Sequence, residues 1–249
     1  MSGHSKWATI KRKKGAADAK RGKAFTKLAR ELEFAARDGA DPSFNFKLRL
    51  VMDKAKAENM PKDNVERAIR RGAGLGEDGA ALEEIAYEGY GPHGVAILIQ
   101  TVTDNRNRTV SELRRALTRA GGSLGESGSV GWLFDAKGYI TVPMQGVEED
   151  KVFELALEAG AEDVIFSEEL AEIYTNPGDL QIVRQAFVDA RRPIESAELS
   201  MVPKTYVSLS PADTLQVMNL VENLEELDDV AKVYANLDIS EEALAAIEA

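Results

Sequence analysis

A chain of 249 residues with 44% hydrophobic content is long enough for one large domain or two to three small ones, each around its own core. It contains no cysteine, which excludes disulfides, thiolate metal sites and cysteine nucleophiles, and it has no run of about 18 apolar residues that would span a membrane. Its formal net charge of −11 is unevenly placed: residues 1–74 hold 19 Lys and Arg against 9 Asp and Glu, a net of +10, and residues 75–249 hold 12 against 33, a net of −21.

The first element is a cationic arm, GHSKWATIKRKK, in which Lys6, Lys11, Arg12, Lys13 and Lys14 surround Trp7. Such a segment neutralises phosphates, and its aromatic can stack on a base, although for Trp7 itself packing on the following helices is the expected role. No apolar stretch follows these basic residues, so no signal peptide is expected and the cytoplasm is the expected location. Residues 18–37 then read as a helix, with Phe25, Leu28, Leu32 and Ala36 on one face. Lys20, Lys23, Lys27, Arg30 and Arg37 fall almost opposite, so the helix is expected to bury one side and offer a row of cations on the other. A second helix is predicted over 45–57, with Leu48, Val51, Met52 and Ala55 inward. A third has Pro61 at its first helical position and Asp63 in its first turn, and stops at Gly72 behind Arg70 and Arg71. Residues 1–74 are thus expected to form a basic helical bundle with an N-terminal arm.

Glycine-rich residues 72–81 read as a linker. Strands are predicted over 82–90 and 95–103 around the turn Gly91-Pro92-His93-Gly94. The capping box Thr109-Val110-Ser111-Glu112 predicts a helix from Val110 with Leu113, Leu117 and Ala120 inward and Gly121 as its stop, followed by a strand over 129–134. In the predicted loop before that helix, Arg106 and Arg108 alternate with Asn105 and Asn107. They suit a phosphate or carboxylate near a helix N-terminus, or a solvated loop with an ion pair to Asp104, and spacing alone leaves the two readings level. From Lys137 the pattern is regular: strand 139–142, helix 148–159, strands 164–166 and 171–175, helix 179–190, strand 197–202. This βαββαβ order is ferredoxin-like. Residues 205–236 add a short strand, a helix with Leu215, Met218, Val221 and Leu224 inward, and a strand over 230–234. They would complete the unfinished sheet of 82–134. The expected fold class is multi-domain α+β: a bundle (1–74), a discontinuous middle domain (82–134 plus 204–240) and an inserted ferredoxin-like domain (135–203).

Catalytic constellations are thin. The two histidines, His4 and His93, lie in the arm and in a turn, and the pairs Glu148-Glu149, Glu168-Glu169 and Asp228-Asp229 are most simply solvated charges. Neither Gly72-Ala73-Gly74-Leu75-Gly76 nor Gly121-Gly122-Ser123-Leu124-Gly125 has the context of a phosphate loop. The chain is therefore expected to be no enzyme and to use no cofactor and no metal.

Five stretches carry a resemblance in their order and spacing: GHSKWATIKRKK, AKRGKAFTKLARE, YEGYGPHG, TDNRNRT and GGSLGESGSVGWLF. Together they resemble the YebC-type family of bacterial proteins, which includes the mitochondrial translational activator of cytochrome c oxidase. The match runs essentially the full length. The one departure is Ser2, where the family commonly has alanine. The resemblance implies three domains, one inserted in another, and a regulator of gene expression that is DNA-binding by family label. Other members look like ribosome-associated translation factors that relieve stalling at proline-rich stretches. The residues it carries over as nucleic-acid contacts are Lys6, Lys11, Arg12, Lys13, Lys14, Lys20, Arg21, Lys23, Lys27 and Arg30, with Arg106 and Arg108 beside them. The expected partner is DNA or ribosomal RNA, and with it the ribosome, and no membrane. With no heptad seam to pair it, the chain is expected to act as a monomer. A protein adaptor working through the ferredoxin-like domain is a third class, recognisable because removal of residues 1–74 would leave its activity intact.

Overall fold

The structure is a computed structural model that describes residues 18–75 and 81–248. The arm residues Lys6, Trp7 and Lys11 to Lys14 lie outside the described residues. The described residues gather into two compact units, one over 134–202 and one formed by those that flank it on either side.

In the flanking unit, helix α1 (Asp18–Ala35) packs against α2 (Phe46–Ala57) and α3 (Lys62–Gly72) over a core of Leu28, Leu32, Leu48, Ala55 and Ala68. Buried Asn45 joins two of these helices. Its Oδ1 accepts from the Leu48 N–H at 2.9 Å as the cap of α2, and its Nδ2 donates to the Ala35 carbonyl at 2.7 Å at the end of α1. Gly72 lies within α3, and the left-handed residue that follows the helix is Gly74, at φ +71°. A Cβ on Gly72 would lie 2.0 Å from the Glu33 carbonyl oxygen, so what this glycine permits is close approach of α3 to α1.

Strands β1 (Glu83–Tyr90) and β2 (Ala96–Thr103) pair antiparallel, from Glu83 opposite Thr103 to Tyr90 opposite Ala96. Helix α4 (Arg106–Arg119) starts four residues before the predicted Val110, because Asn105 takes the cap: its Oδ1 accepts from the Arg108 N–H at 3.1 Å. Thr109, the expected cap, is buried in the first turn. The short β3 (Ser123–Leu124) pairs with the end of β1. No strand forms over 129–133, where a 3-10 turn spans Gly131–Leu133. The next strand begins only at Phe134.

The unit at 134–202 consists of β4 (Phe134–Pro143), α5 (Glu149–Glu158), β5 (Asp163–Phe166), β6 (Leu170–Thr175), α6 (Leu180–Asp189) and β7 (Ser196–Pro203). Its sheet order, β5-β6-β4-β7, is the ferredoxin-like arrangement read from the sequence. Ile140, Val142 and Ile173 of the sheet and Val152, Leu180, Val183 and Phe187 of the helices are fully buried.

The chain then returns to the flanking unit through β8 (Val207–Ser208), α7 (Pro211–Glu225), β9 (Val230–Ala235), β10 (Leu237–Asp238) and α8 (Glu241–Glu248). Strand β9 joins β2, closing a sheet of order β3-β1-β2-β9, so the ferredoxin-like unit is an insertion between strands of one sheet. The core on one face of that sheet takes Ile97, Ile99 and Val233 from its strands, Leu113 and Leu117 from α4, and Val217, Leu220 and Leu224 from α7. Met218, Val221 and Leu224 are buried as expected and are joined by Val217 and Leu220, whereas Leu215, also expected inward, is 40% exposed.

Candidate nucleic-acid interface

The cations that the sequence singled out converge partly on one buried carboxylate. Asp229, immediately before β9, is 2% exposed. It accepts from Arg30 of α1 and, at 2.7 and 2.9 Å, from Nη2 of Arg108 in the first turn of α4. Thr109 Oγ1 lies 2.8 Å from it, and Thr103 Oγ1 at the end of β2 lies 3.2 Å away. Burial works against ionisation of this carboxyl. The hydrogen bonds from Arg108, Thr109 and Arg30 outweigh burial and hold it below the ordinary aspartate value, while the same contacts raise Arg108. The pair Asp228-Asp229, expected to be solvated, is thus half structural.

Around Asp229 the cationic stripe of α1 docks on the rest of its own unit. Lys27 Nζ donates to the carbonyls of Glu225 and Val230, the latter at 3.0 Å, and Arg30 also donates to the Asp228 carbonyl at 3.2 Å. Arg37 donates to the Leu82 carbonyl and lies over the Phe34 ring. The expectation that this whole stripe is offered outward is therefore corrected: Lys27, Arg30 and Arg37 face carbonyls and a carboxylate. Lys20 and Arg21 belong to the first turns of α1, and Lys23 there is exposed. The bundle has further exposed cations that the sequence reading did not select. Arg67 and Arg70 of α3 and Lys56 of α2 make no ion pair among the described residues, whereas Arg71 is paired with Glu33 and Lys54 with Glu31.

Arg106 and Arg108, placed in a loop by the sequence reading, sit in the first turn of α4. Arg106 Nε donates to Glu83 at 2.6 Å, and Arg108 also pairs with Asp104 at 2.7 Å, so both guanidiniums have carboxylate partners. Three later arginines of the same helix, Arg114, Arg115 and Arg119, are exposed and were not selected from the sequence. Counting cations by helix instead of by segment would have found them.

The motifs YEGYGPHG and GGSLGESGSVGWLF meet at Glu88. Its carboxylate accepts from the backbone N–H groups of Gly128, Val130 and Gly131 at 2.7, 2.6 and 2.6 Å. Burial raises this carboxyl, but the three donors prevail and lower it below the usual glutamate value. Donors taken by a carboxylate cannot join a ladder, which is why 129–133 is a turn and no strand. The same turn presents aromatics: the Tyr90 hydroxyl and the Trp132 indole N–H both donate to the Ser129 carbonyl, and Trp132 remains 66% exposed. Among the described residues no group of three or more His, Cys, Asp or Glu is placed to hold a metal ion, and no helix is long and apolar enough to cross a membrane.

Residues 5–75 match the family model described as TACO1/YebC protein N-terminal domain, and residues 82–237 match the model described as TACO1/YebC second and third domain. The chain belongs to the TACO1/YebC family. A relative from Geobacter sulfurreducens, named as a probable transcriptional regulatory protein, is 54% identical over 98% of both chains. One of the same name from Roseiflexus castenholzii is 52% identical over 97% of both. The crystal structure of a conserved hypothetical protein from Aquifex aeolicus superimposes with a TM-score of 0.82 at 47% identity, covering 90% of this chain and 93% of that one. In this TACO1/YebC chain the gap between the two matched regions, residues 76–81, lies inside the glycine-rich stretch 72–81. The Asp229 site brings together Arg30 from the N-terminal model and Arg108 from the other.

Proposed function

We propose that this TACO1/YebC protein is a non-enzymatic, nucleic-acid-binding regulator of gene expression, gripping a phosphate backbone through its basic arm and helical bundle. The observation that carries the reading is the charge split: a net of +10 in residues 1–74 against −21 in the remainder. Such a molecule brings one end to a polyanion and keeps the other away. The grip is assigned to Lys6, Lys11, Arg12, Lys13 and Lys14 of the arm, continued by Lys20, Arg21 and Lys23 at the start of α1. Exposed Arg67 and Arg70 of α3 extend it. Lys27, Arg30 and Arg108 serve it indirectly, by fixing the bundle to its neighbour through Asp229 and nearby carbonyls. The relatives' name, probable transcriptional regulatory protein, supports the regulatory aspect of the reading.

Two targets follow from the same chemistry. Promoter DNA agrees with the relatives' name. Ribosomal RNA agrees with the resemblance to ribosome-associated translation factors and with a monomer that reads shape and phosphates through an arm. Sedimentation of lysate on a sucrose gradient separates them, comparing the intact protein with a variant carrying Lys11→Ala, Arg12→Ala, Lys13→Ala and Lys14→Ala. Comigration with ribosomal particles that the variant loses assigns the protein to translation. Retention at the top of the gradient by a protein that retards promoter DNA assigns it to transcription. An intact protein that does neither contradicts the proposal. Since phosphate contacts carry no sequence information, the fourfold variant is expected to lose affinity for all sequences alike.

A further inference from the structure

Helix α4 concentrates cations where the chain is otherwise acidic. Five of the twelve Lys and Arg residues of 75–249 lie within Arg106–Arg119, and the same fourteen residues contain one carboxylate, Glu112. All five are arginine, the side chain whose planar fork matches a phosphate in two hydrogen bonds. They divide by position along the helix. Arg106 and Arg108 in the first turn are held by Glu83, Asp104 and Asp229. The side chains of Arg114, Arg115 and Arg119, all exposed residues, make no ion pair or hydrogen bond among the described residues. Arg115 and Arg119 stand one turn apart, a like-charge spacing that destabilises a helix. Glu112 stands three residues before Arg115 but makes no ion pair with it among the described residues, and Arg119 gains only from its place in the last turn of the helix. Solubility does not require the three, because cations subtract from the negative surplus that already keeps this region of the chain in solution. Between and beside them the outer rows of the helix hold Asn107, Ser111 and Thr118, all exposed and small enough to let a backbone approach.

We infer that the outer face of α4, through Arg114, Arg115 and Arg119, is a second binding surface for the sugar-phosphate backbone of nucleic acid. This rests on the reading of the protein as a nucleic-acid binder and adds to it a contact outside the basic bundle. The charge split alone would leave the acidic region of the chain as a repelling body; the α4 face supplies a place on that body at which a phosphate strand is attracted.

The test compares four full-length proteins: the parent, the fourfold arm variant, R114Q/R115Q/R119Q, and the charge-retaining R114K/R115K/R119K. Affinity for a duplex DNA and for a hairpin RNA of mixed sequence is measured against salt, with melting curves confirming that each variant is folded. Loss of three phosphate contacts is expected to make the slope of log affinity against log salt shallower by about 2 to 3 in the glutamine variant. The lysine variant is expected to keep most of the slope. Should the triple glutamine variant fail to fold, R115Q/R119Q is read in the same way, with about two thirds of the change. A glutamine variant whose affinity and slope match the parent's, while the arm variant loses both, overturns this inference and leaves the proposed function standing. A parent that binds neither probe at low salt overturns the proposed function and this surface with it.

Discussion

At the scale of single residues, two positions hold the bundle in place for different physical reasons. Asp229 is a buried carboxylate matched by two guanidiniums and two threonine hydroxyls, so its removal takes from Arg30 its counter-charge and leaves Arg108 only Asp104. Breaking a fully buried pair costs about 3–5 kcal/mol; with Arg108 39% exposed, Asp229→Asn should cost about 2 kcal/mol. In a chain of this size that lowers the melting temperature by about 4–8 °C. Because the folded-state pKa of Asp229 is depressed, its contribution is fully present above the ordinary aspartate value and is lost as pH falls through the folded one. The stability gap between parent and Asp229→Asn should therefore be widest near neutrality and should close in acid; a gap independent of pH would show that the charge is not what stabilises. Gly72 acts through shape. Gly72→Ala places a methyl group 2.0 Å from the Glu33 carbonyl oxygen and should cost about 1–3 kcal/mol by urea denaturation, although helix propensity alone favours alanine. A neutral or stabilising result would mean that α3 can move off α1 freely.

At the scale of elements, the turn following β3 depends on a side chain outside it. Glu88 satisfies three N–H groups of one loop, which fixes the turn that presents Trp132. Glu88→Gln offers one carbonyl oxygen in place of two anionic ones. The amide protons of Gly128, Val130 and Gly131 should then exchange faster, at a cost of about 1–2 kcal/mol, while those of β2 keep their protection. Equal protection in parent and variant would refute this role. Such a contact was not legible in the sequence: Glu88 lies in a strand and its first donor, Gly128, lies 40 residues away, with no local pattern linking them. The elements themselves were legible, because the three-and-four spacing of Leu28 and Leu32, the alternation through Ile97 and Ile99, and the order of strands and helices after Lys137 are local signals. The start of α4 was misplaced because both Asn105 and Thr109 are competent caps. Only the burial of Thr109 beside Asp229 decides between them. The direction of the α1 cations was hidden for a similar reason. A row of Lys and Arg opposite an apolar stripe looks the same whether it meets a phosphate, as expected, or the Asp229 carboxylate and the Glu225 and Val230 carbonyls about 200 residues later.

At the scale of the whole molecule, the charge split was legible by counting, and it remains the strongest functional signal after the α1 stripe is subtracted. Lys27, Arg30, Arg37 and Arg108 are engaged within the fold, which leaves the proposed grip to the arm, to exposed cations such as Lys23, Arg67 and Arg70, and to the proposed surface on α4. The Asp229 site then acquires a mechanical meaning. It ties a residue of the N-terminal helices to the closing strand of the middle sheet, so a polyanion held by the bundle is held by the whole flanking unit. The most direct test is the affinity of the intact protein for nucleic acid as a function of salt. Neutralising about six to eight phosphates predicts that log affinity falls linearly with log salt, at about −0.9 per contact on duplex DNA and about −0.7 on single strands. A complex indifferent to salt, or no complex at low salt, would contradict the account.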